Sequence, residues 1–179
     1  ILNVDDDAMC DIRGRRIAMI FQEPMTSLNP LYKCGFQVAE ALMAHGRLTD
    51  EVAHDRVIDL FQKVMLPRPE KIYDSYPHHL SGGQKQRVMI AMALACSPEL
   101  LIADEPTTAL DVTVQKEILR LLRRLQQDSG EMSMIFISHD LAVVAEISDY
   151  IAVMHDGVIV EYGDAKSVLE NPQDTYTKG

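Results

Sequence analysis

Three short apolar runs recur along the chain: Ile17-Ala18-Met19-Ile20-Phe21, Leu100-Leu101-Ile102-Ala103 and Met134-Ile135-Phe136-Ile137. Each is too short for a helix and too uniformly apolar for a strand with one wet face, so each reads as a buried parallel strand. Between the first two, over residues 34–95, the period changes to that of helices. Val38, Ala41 and Leu42 mark one amphipathic segment. Thr49 or Asp50 caps a second, where Val57, Ile58, Phe61, Val64 and Met65 recur at helical spacing until Pro67 and Pro69 end it. An Ala- and Met-rich helix opens at Leu80-Ser81-Gly82-Gly83 and runs to about Cys96. Residues 112–128 predict a further helix, with Val114, Ile118, Leu121, Leu122 and Leu125 on its buried side and Ser129-Gly130 as its stop. A short helix over 141–147, a hairpin turning at Asp156-Gly157 and a last helix over 165–170, broken at Pro172, complete the pattern. Residues 1–13 are acidic and irregular, with Asp5-Asp6-Asp7 a solvated turn or helix start.

Alternating strands and helices predict an α/β domain, in which ligands bind beyond the carboxyl ends of the strands. Asp104 and Glu105 follow the second run directly. In phosphoryl transfer an acid placed like Asp104 holds Mg²⁺, directly or through water, while one placed like Glu105 orients or deprotonates the attacking water. Taken alone, the pair is equally a strand ending in solvated acids. Gln22 follows the first run, where its carbonyl oxygen can meet Mg²⁺ or its amide a partner, although a lone Gln there is usually a loop residue. Ser81, Gly82, Gly83 and Gln84 open a helix whose unpaired N–H groups and dipole suit a phosphate, and the glycines allow close backbone approach. His139 follows the third run; His78-His79 lacks a companion ligand at metal-binding spacing, and Asp156 is turn chemistry.

Composition narrows the field. A chain of 179 residues, 47% hydrophobic and 25% charged, fits one soluble globular domain with a proper core. A net charge of −10 disfavours non-specific binding to nucleic acid or an anionic membrane. Cys10, Cys34 and Cys96 are few, odd in number and without CxxC spacing, as in a reducing cytoplasm. No apolar run approaches the roughly 20 residues of a membrane span.

In combination these stretches resemble the ATP-binding-cassette (ABC) ATPases. Leu80 to Gln84 resembles the signature motif, Leu100 to Glu105 the Walker B strand, Ala109 to Asp111 the D-loop, Gln22 the Q-loop glutamine and His139 the switch histidine. Phe21-Gln22-Glu23-Pro24-Met25-Thr26-Ser27-Leu28-Asn29-Pro30 and the tail Asn171-Pro172-Gln173-Asp174-Thr175-Tyr176-Thr177-Lys178 look like importers of dipeptides and oligopeptides, nickel and glutathione. The resemblance implies a P-loop NTPase (RecA-like) core with an inserted α-helical subdomain. Residues 1–33 would be partial core with the Q-loop, 34–95 the helical subdomain and 96–179 the remaining core. It implies an ATPase that powers uptake of peptides or a related small solute. Glu105 and His139 would be catalytic, with His139 bridging the γ-phosphate, the water and Glu105. Asp104 and Gln22 would bind Mg²⁺, and Gln22, Ser81, Gly82, Gly83, Gln84 and Asp111 would bind ATP. The implied partners are a second ATPase subunit paired head to tail, membrane permease subunits on the Gln22 loop and helical subdomain, and indirectly a solute-binding protein, at the inner face of the cell membrane. Nucleic acid is not expected. Alternatives are a signature-side nucleotide-binding module alone, or a non-transport ATPase of DNA repair or translation. One motif departs from the family: no glycine here is followed by lysine, so the phosphate-binding Walker A loop GxxxxGK[ST] is missing. With Ile1 first, the expectation is an internal fragment, N-terminally incomplete, that by itself binds ATP weakly and hydrolyses none.

Overall fold

The computed structural model describes residues 4–22, 27–46, 48–108 and 110–178. They form two compact units, one ending at Ile137 and the other beginning at Ser138. Of the stretches singled out above, residues 1–3, residues 23–26 and Ala109 lie outside the described residues.

The first unit is built on a parallel sheet of β1 (Ile17–Ile20), β2 (Leu100–Asp104) and β3 (Ser133–Ile137), in that order. Ile17 lies opposite Leu100, and Leu100 opposite Ser133, so the three carboxyl ends fall on one side of the unit. The carbonyl of Arg16 accepts from the N–H groups of Glu99 and Leu100, which sets the entry of β2 beside β1. Expectation and structure differ in burial. Ala18, Ile20, Leu101 and Ala103 are buried, whereas Met19, Ile135 and Ile137 are 37%, 49% and 44% exposed. Side chains alternate across a sheet, so an apolar run can have one face packed by helices and the other open even when every residue in it is apolar.

Helices carry the rest of this unit. α1 (Asp6–Ile12) makes part of the supposedly irregular start helical, with Asp5 capping it by accepting from the Ala8 N–H at 2.8 Å. α2 (Cys34–Ala44), α3 (Asp50–Lys63), α4 (Pro69–Tyr73) and α5 (Gly82–Leu94) pack on one another, and α5 also packs on β1. Thr49 caps α3, which buries Ala53, Val57 and Phe61 at helical spacing. Pro69 begins α4 rather than merely ending what precedes it, because its fixed φ and missing N–H suit a first helical turn. α6 (Val112–Ser129) buries Ile118, Leu119, Leu121 and Leu122 and ends at Gly130 in the left-handed conformation, φ 66°.

The second unit contains α7 (Leu141–Ile147), an antiparallel hairpin of β4 (Tyr150–His155) and β5 (Val158–Asp164), and α8 (Ala165–Glu170). Asp156 and Gly157 turn it with φ 47° and 79°, the two positive values that a tight two-residue hairpin requires. Val143, Ile147, Ile151 and Val168 form its small core. Glu161 on β5 holds the tail by accepting the N–H groups of Gln173 at 2.8 Å and Asp174 at 3.1 Å, and these donors keep its carboxyl below the usual value. Tyr176 stacks on His155 with ring centres 3.9 Å apart.

Candidate functional site

Asp104 ends β2, and beyond it the chain turns through Glu105, a non-glycine residue at φ 43°. Such a conformation costs about 1–2 kcal/mol for an L-residue and is retained where the surroundings dictate it. Here the Glu105 N–H donates to Ile137 O at 3.0 Å, which fastens the turn to the end of β3. The side chain of Glu105 then meets two donors at one oxygen. Gln22 Nε2 donates to Oε2 at 2.8 Å and Thr108 Oγ1 donates to the same atom at 2.8 Å. Parallel pairing of β1 with β2 is what brings Gln22 and Glu105, 83 positions apart, into contact. Thr108 is the member of this cluster to which sequence reasoning gave no role. Its position three residues after Glu105, at the close of a turn in which the Thr108 N–H donates to Glu105 O at 3.3 Å, was the available signal.

Ser81 caps α5 in a reciprocal box. Its Oγ accepts the Gln84 N–H at 3.3 Å while its own N–H donates to Gln84 Oε1 at 3.0 Å. Gly82 is exposed, and a Cβ there would meet Leu110 at an ordinary 3.5 Å. Gly83 has a different reason to be glycine. A Cβ at this position would lie 2.7 Å from Val114 Cγ1, so its lack of side chain lets α5 sit on α6. Farther along α5, buried Arg87 donates to Val64 O at 2.9 Å and to Glu117 Oε2 at 3.0 Å, tying α5 to the end of α3 and to α6. Asp111, expected at a nucleotide, caps α6 here, its Oδ1 accepting from Thr113 N–H at 3.1 Å and Val114 N–H at 3.0 Å.

His139 belongs to the second unit, where it is exposed. Its backbone is held by its neighbours: the Asp140 N–H donates to Ser138 Oγ at 3.0 Å, and Asp140 Oδ1 caps α7 by accepting from Ala142 N–H at 2.9 Å.

Among the described residues no group of three or more His, Cys, Asp or Glu side chains converges as a metal cage. The donors at the strand ends are oxygens, the Asp104 carboxylate and the Gln22 carbonyl, and the latter takes no part in the bond to Glu105. Two hard oxygens suit Mg²⁺, which keeps most of its waters and takes one or two protein ligands beside phosphate.

A carboxylate pair at the end of a parallel strand, a glutamine beside it and a capped glycine-rich helix start are the parts of a nucleotide-binding cassette, and the chain belongs to the ABC transporter family, whose profile matches residues 3–108. The dipeptide transport ATP-binding protein of Haemophilus influenzae is 53% identical over 178 residues, covering 99% of this chain and 54% of its own length. The oligopeptide transport ATP-binding protein of Bacillus subtilis is 49% identical over 179 residues, covering 100% of this chain and 50% of its own. The fold is that of solved ABC cassettes. A dimeric ATP-binding cassette in a post-hydrolysis state, bound to ADP and Pi, superposes with a TM-score of 0.78 at 30% identity, over 91% of this chain and 68% of that one. The chain spans about half the length of the curated relatives it matches.

Proposed function

We propose that the protein carrying this chain is the ATP-hydrolysing subunit of an importer for peptides or a related small solute. The observation that carries the proposal is the meeting of Gln22 and Thr108 on one oxygen of Glu105 at the strand ends. Two donors hold the carboxylate in one orientation, in which it would act on an attacking water. Release of the Gln22 amide would further change how much of the carboxylate is available, so the loop after β1 can gate the acid. Asp104 and the carbonyl of Gln22 would hold Mg²⁺, which neutralises charge on the β- and γ-phosphates when bound. His139, two residues beyond β3 in the chain, would donate to the γ-phosphate and accept from water, as a neutral imidazole can do.

The signature turn supplies the remaining chemistry. The N-terminal N–H groups of α5, its Ser81 hydroxyl and the open Gly82 backbone would close over the γ-phosphate of ATP held by a second subunit, head to tail, with Gln84 steadying Ser81 and Gly83 setting α5 on α6. Asp111, at the start of α6, would lie along the same dimer seam. Dipeptides and oligopeptides are the assignment the relatives' names favour. Among the described residues no helix is long and apolar enough to cross a membrane, so attachment to the inner face would come through permease subunits on the Gln22 loop and the subdomain formed by α2 to α5. Glu105→Gln tests the central assignment. The amide keeps the shape but cannot take a proton, so turnover should fall by about two to four orders of magnitude while ATP affinity is kept. Near-normal phosphate release from the variant would refute it.

A further inference from the structure

A concavity of about 330 Å³ opens beside the start of α5, where the chain leaves α3 and runs through α4. Arg68, Lys71 and His79 stand around it with Ser75 and Gln84, above the buried side chain of Ile72. Among the described residues no carboxylate lines it. Its volume is at the lower end of small-ligand pockets, about 300–1,000 Å³. The charge is what sets it apart. With 27 acidic residues against 17 basic ones, a hollow lined by cations without a carboxylate neighbour runs against the chain's overall charge. Arg16, Lys33 and Arg87 each have one within 3.0 Å. Arg68 and Lys71 form no ion pair with any described residue, yet they face the same hollow.

We infer that this hollow is a binding site for a small multivalent oxyanion of the phosphate type. A guanidinium presents paired N–H groups that match phosphate oxygens, and an ammonium adds a point charge, so Arg68 and Lys71 supply complementary contacts. His79 adds a ring N–H. The Ser75 hydroxyl already donates to Lys71 O at 2.6 Å and serves the wall rather than the ligand. Gln84 contributes through the half of its amide that the capping box leaves over: Oε1 accepts from Ser81 N–H, and Nε2 is the donor that remains for the anion. Gln84 therefore belongs both to the hollow and to the helix start that carries Ser81, Gly82 and Gly83. An anion drawn onto its Nε2 is felt at the Ser81 N–H, one hydrogen bond away, so occupancy of the hollow is coupled to the geometry of the signature turn.

The probe is inorganic pyrophosphate, titrated by calorimetry into the protein and followed by backbone ¹H–¹⁵N shifts. Binding should weaken as salt is raised, and the N–H signals of Lys71, Gln84 and Ser81 should move together. Arg68→Ala and Lys71→Ala should each raise Kd by about tenfold, the worth of one charge-assisted contact. Lys33→Ala, which removes a cation already paired with Asp74, should leave Kd unchanged. No heat at millimolar pyrophosphate, or binding undiminished in both variants, would overturn the site. Movement of the Lys71 signal with Ser81 and Gln84 still would overturn the coupling. Should either alanine variant fold poorly, the shift map of the unmodified protein decides by itself. None of these readouts uses ATP turnover, so their failure is distinct from failure of the importer reading.

Discussion

Gln86 to Met should make the protein more stable. Gln86 lies on α5 three residues after Gly83, the position that abuts Val114, and one before Arg87, so its side chain leaves the helix towards the packed interior. It is 1% exposed, and neither Nε2 nor Oε1 meets a hydrogen-bond partner among the described residues. A buried neutral donor or acceptor left unsatisfied costs about 1–3 kcal/mol. Methionine has nearly the length and volume of glutamine and adapts to irregular space, so the substitution removes both polar atoms with a misfit of about 1 kcal/mol. With both atoms counted and the misfit subtracted, the net gain is about 1–5 kcal/mol, which in a chain of this length raises Tm by roughly 2–20 °C. Urea unfolding followed by far-ultraviolet circular dichroism measures it as a higher midpoint at unchanged slope. Arg87→Met, one residue away, provides the opposite sign. It orphans the carbonyl of Val64 and frees Glu117, whose side chain is half exposed and resolvates, so a loss of about 1–3 kcal/mol is expected. A lower midpoint for Gln86→Met would refute the reasoning, because it would mean that the amide makes hydrogen bonds worth more than its burial costs.

Asp104→Asn should raise the Mg²⁺ concentration for half-maximal ATPase by about tenfold through loss of one charged oxygen ligand, read from a Mg²⁺ titration of turnover; an unchanged midpoint would remove Asp104 from the metal. Gly82→Asp should fold normally, since its Cβ would make an ordinary 3.5 Å contact with Leu110, yet block ATP-driven dimerisation in a Glu105→Gln background, as gel filtration would show. Gly83→Ala should instead lose about 1–3 kcal/mol of stability by overpacking, because its Cβ falls 2.7 Å from Val114. Cys10 is exposed and should alkylate first, while Cys34 is fully buried and its thiol is pushed up to about 11. An unfolded Cys34 releases its proton near the ordinary value of 9.0 and the folded one near 11, so its contribution to stability is full below 9 and declines as pH rises through that window. Mass mapping after a maleimide pulse at neutral pH checks the order of reaction.

Much of the local structure follows from neighbours in the chain. Thr49 before Asp50 and Glu51, Gly130 after a helical run and Asp156-Gly157 between apolar runs each specify backbone conformation within a few residues, and the caps and turns form where those residues stand. Pro69 was harder to place, because one proline can end a segment or begin the next, and only the packing of α4 on α2 and α3 selects the second. Burial of the strands was misjudged for a related reason. An apolar run records what each side chain tolerates, whereas exposure depends on what packs against each face, and Ile135 and Ile137 alternate outward.

For the candidate site, the order of motifs along the chain singled out the residues proposed to carry chemistry: Asp104 and Glu105 after an apolar run, Gln22 and His139 after two others, Ser81 to Gln84 before a helix. Residue type and spacing suffice there, because the chemistry of a carboxylate or imidazole is intrinsic to it. Tertiary structure alone decided which of them meet and what each neighbour does. Parallel pairing of β1 and β2 brings Gln22 onto Glu105, and the turn after β2 adds Thr108 to the same oxygen. The docking of α5 on α6 makes Gly83 a packing glycine and buries Gln86 and Arg87, which among the described residues have no side-chain hydrogen-bond partner and two, respectively. These are contacts between residues up to 83 positions apart. Their distances are set by the sum of all packing in the unit, and no local pattern of residues encodes that sum.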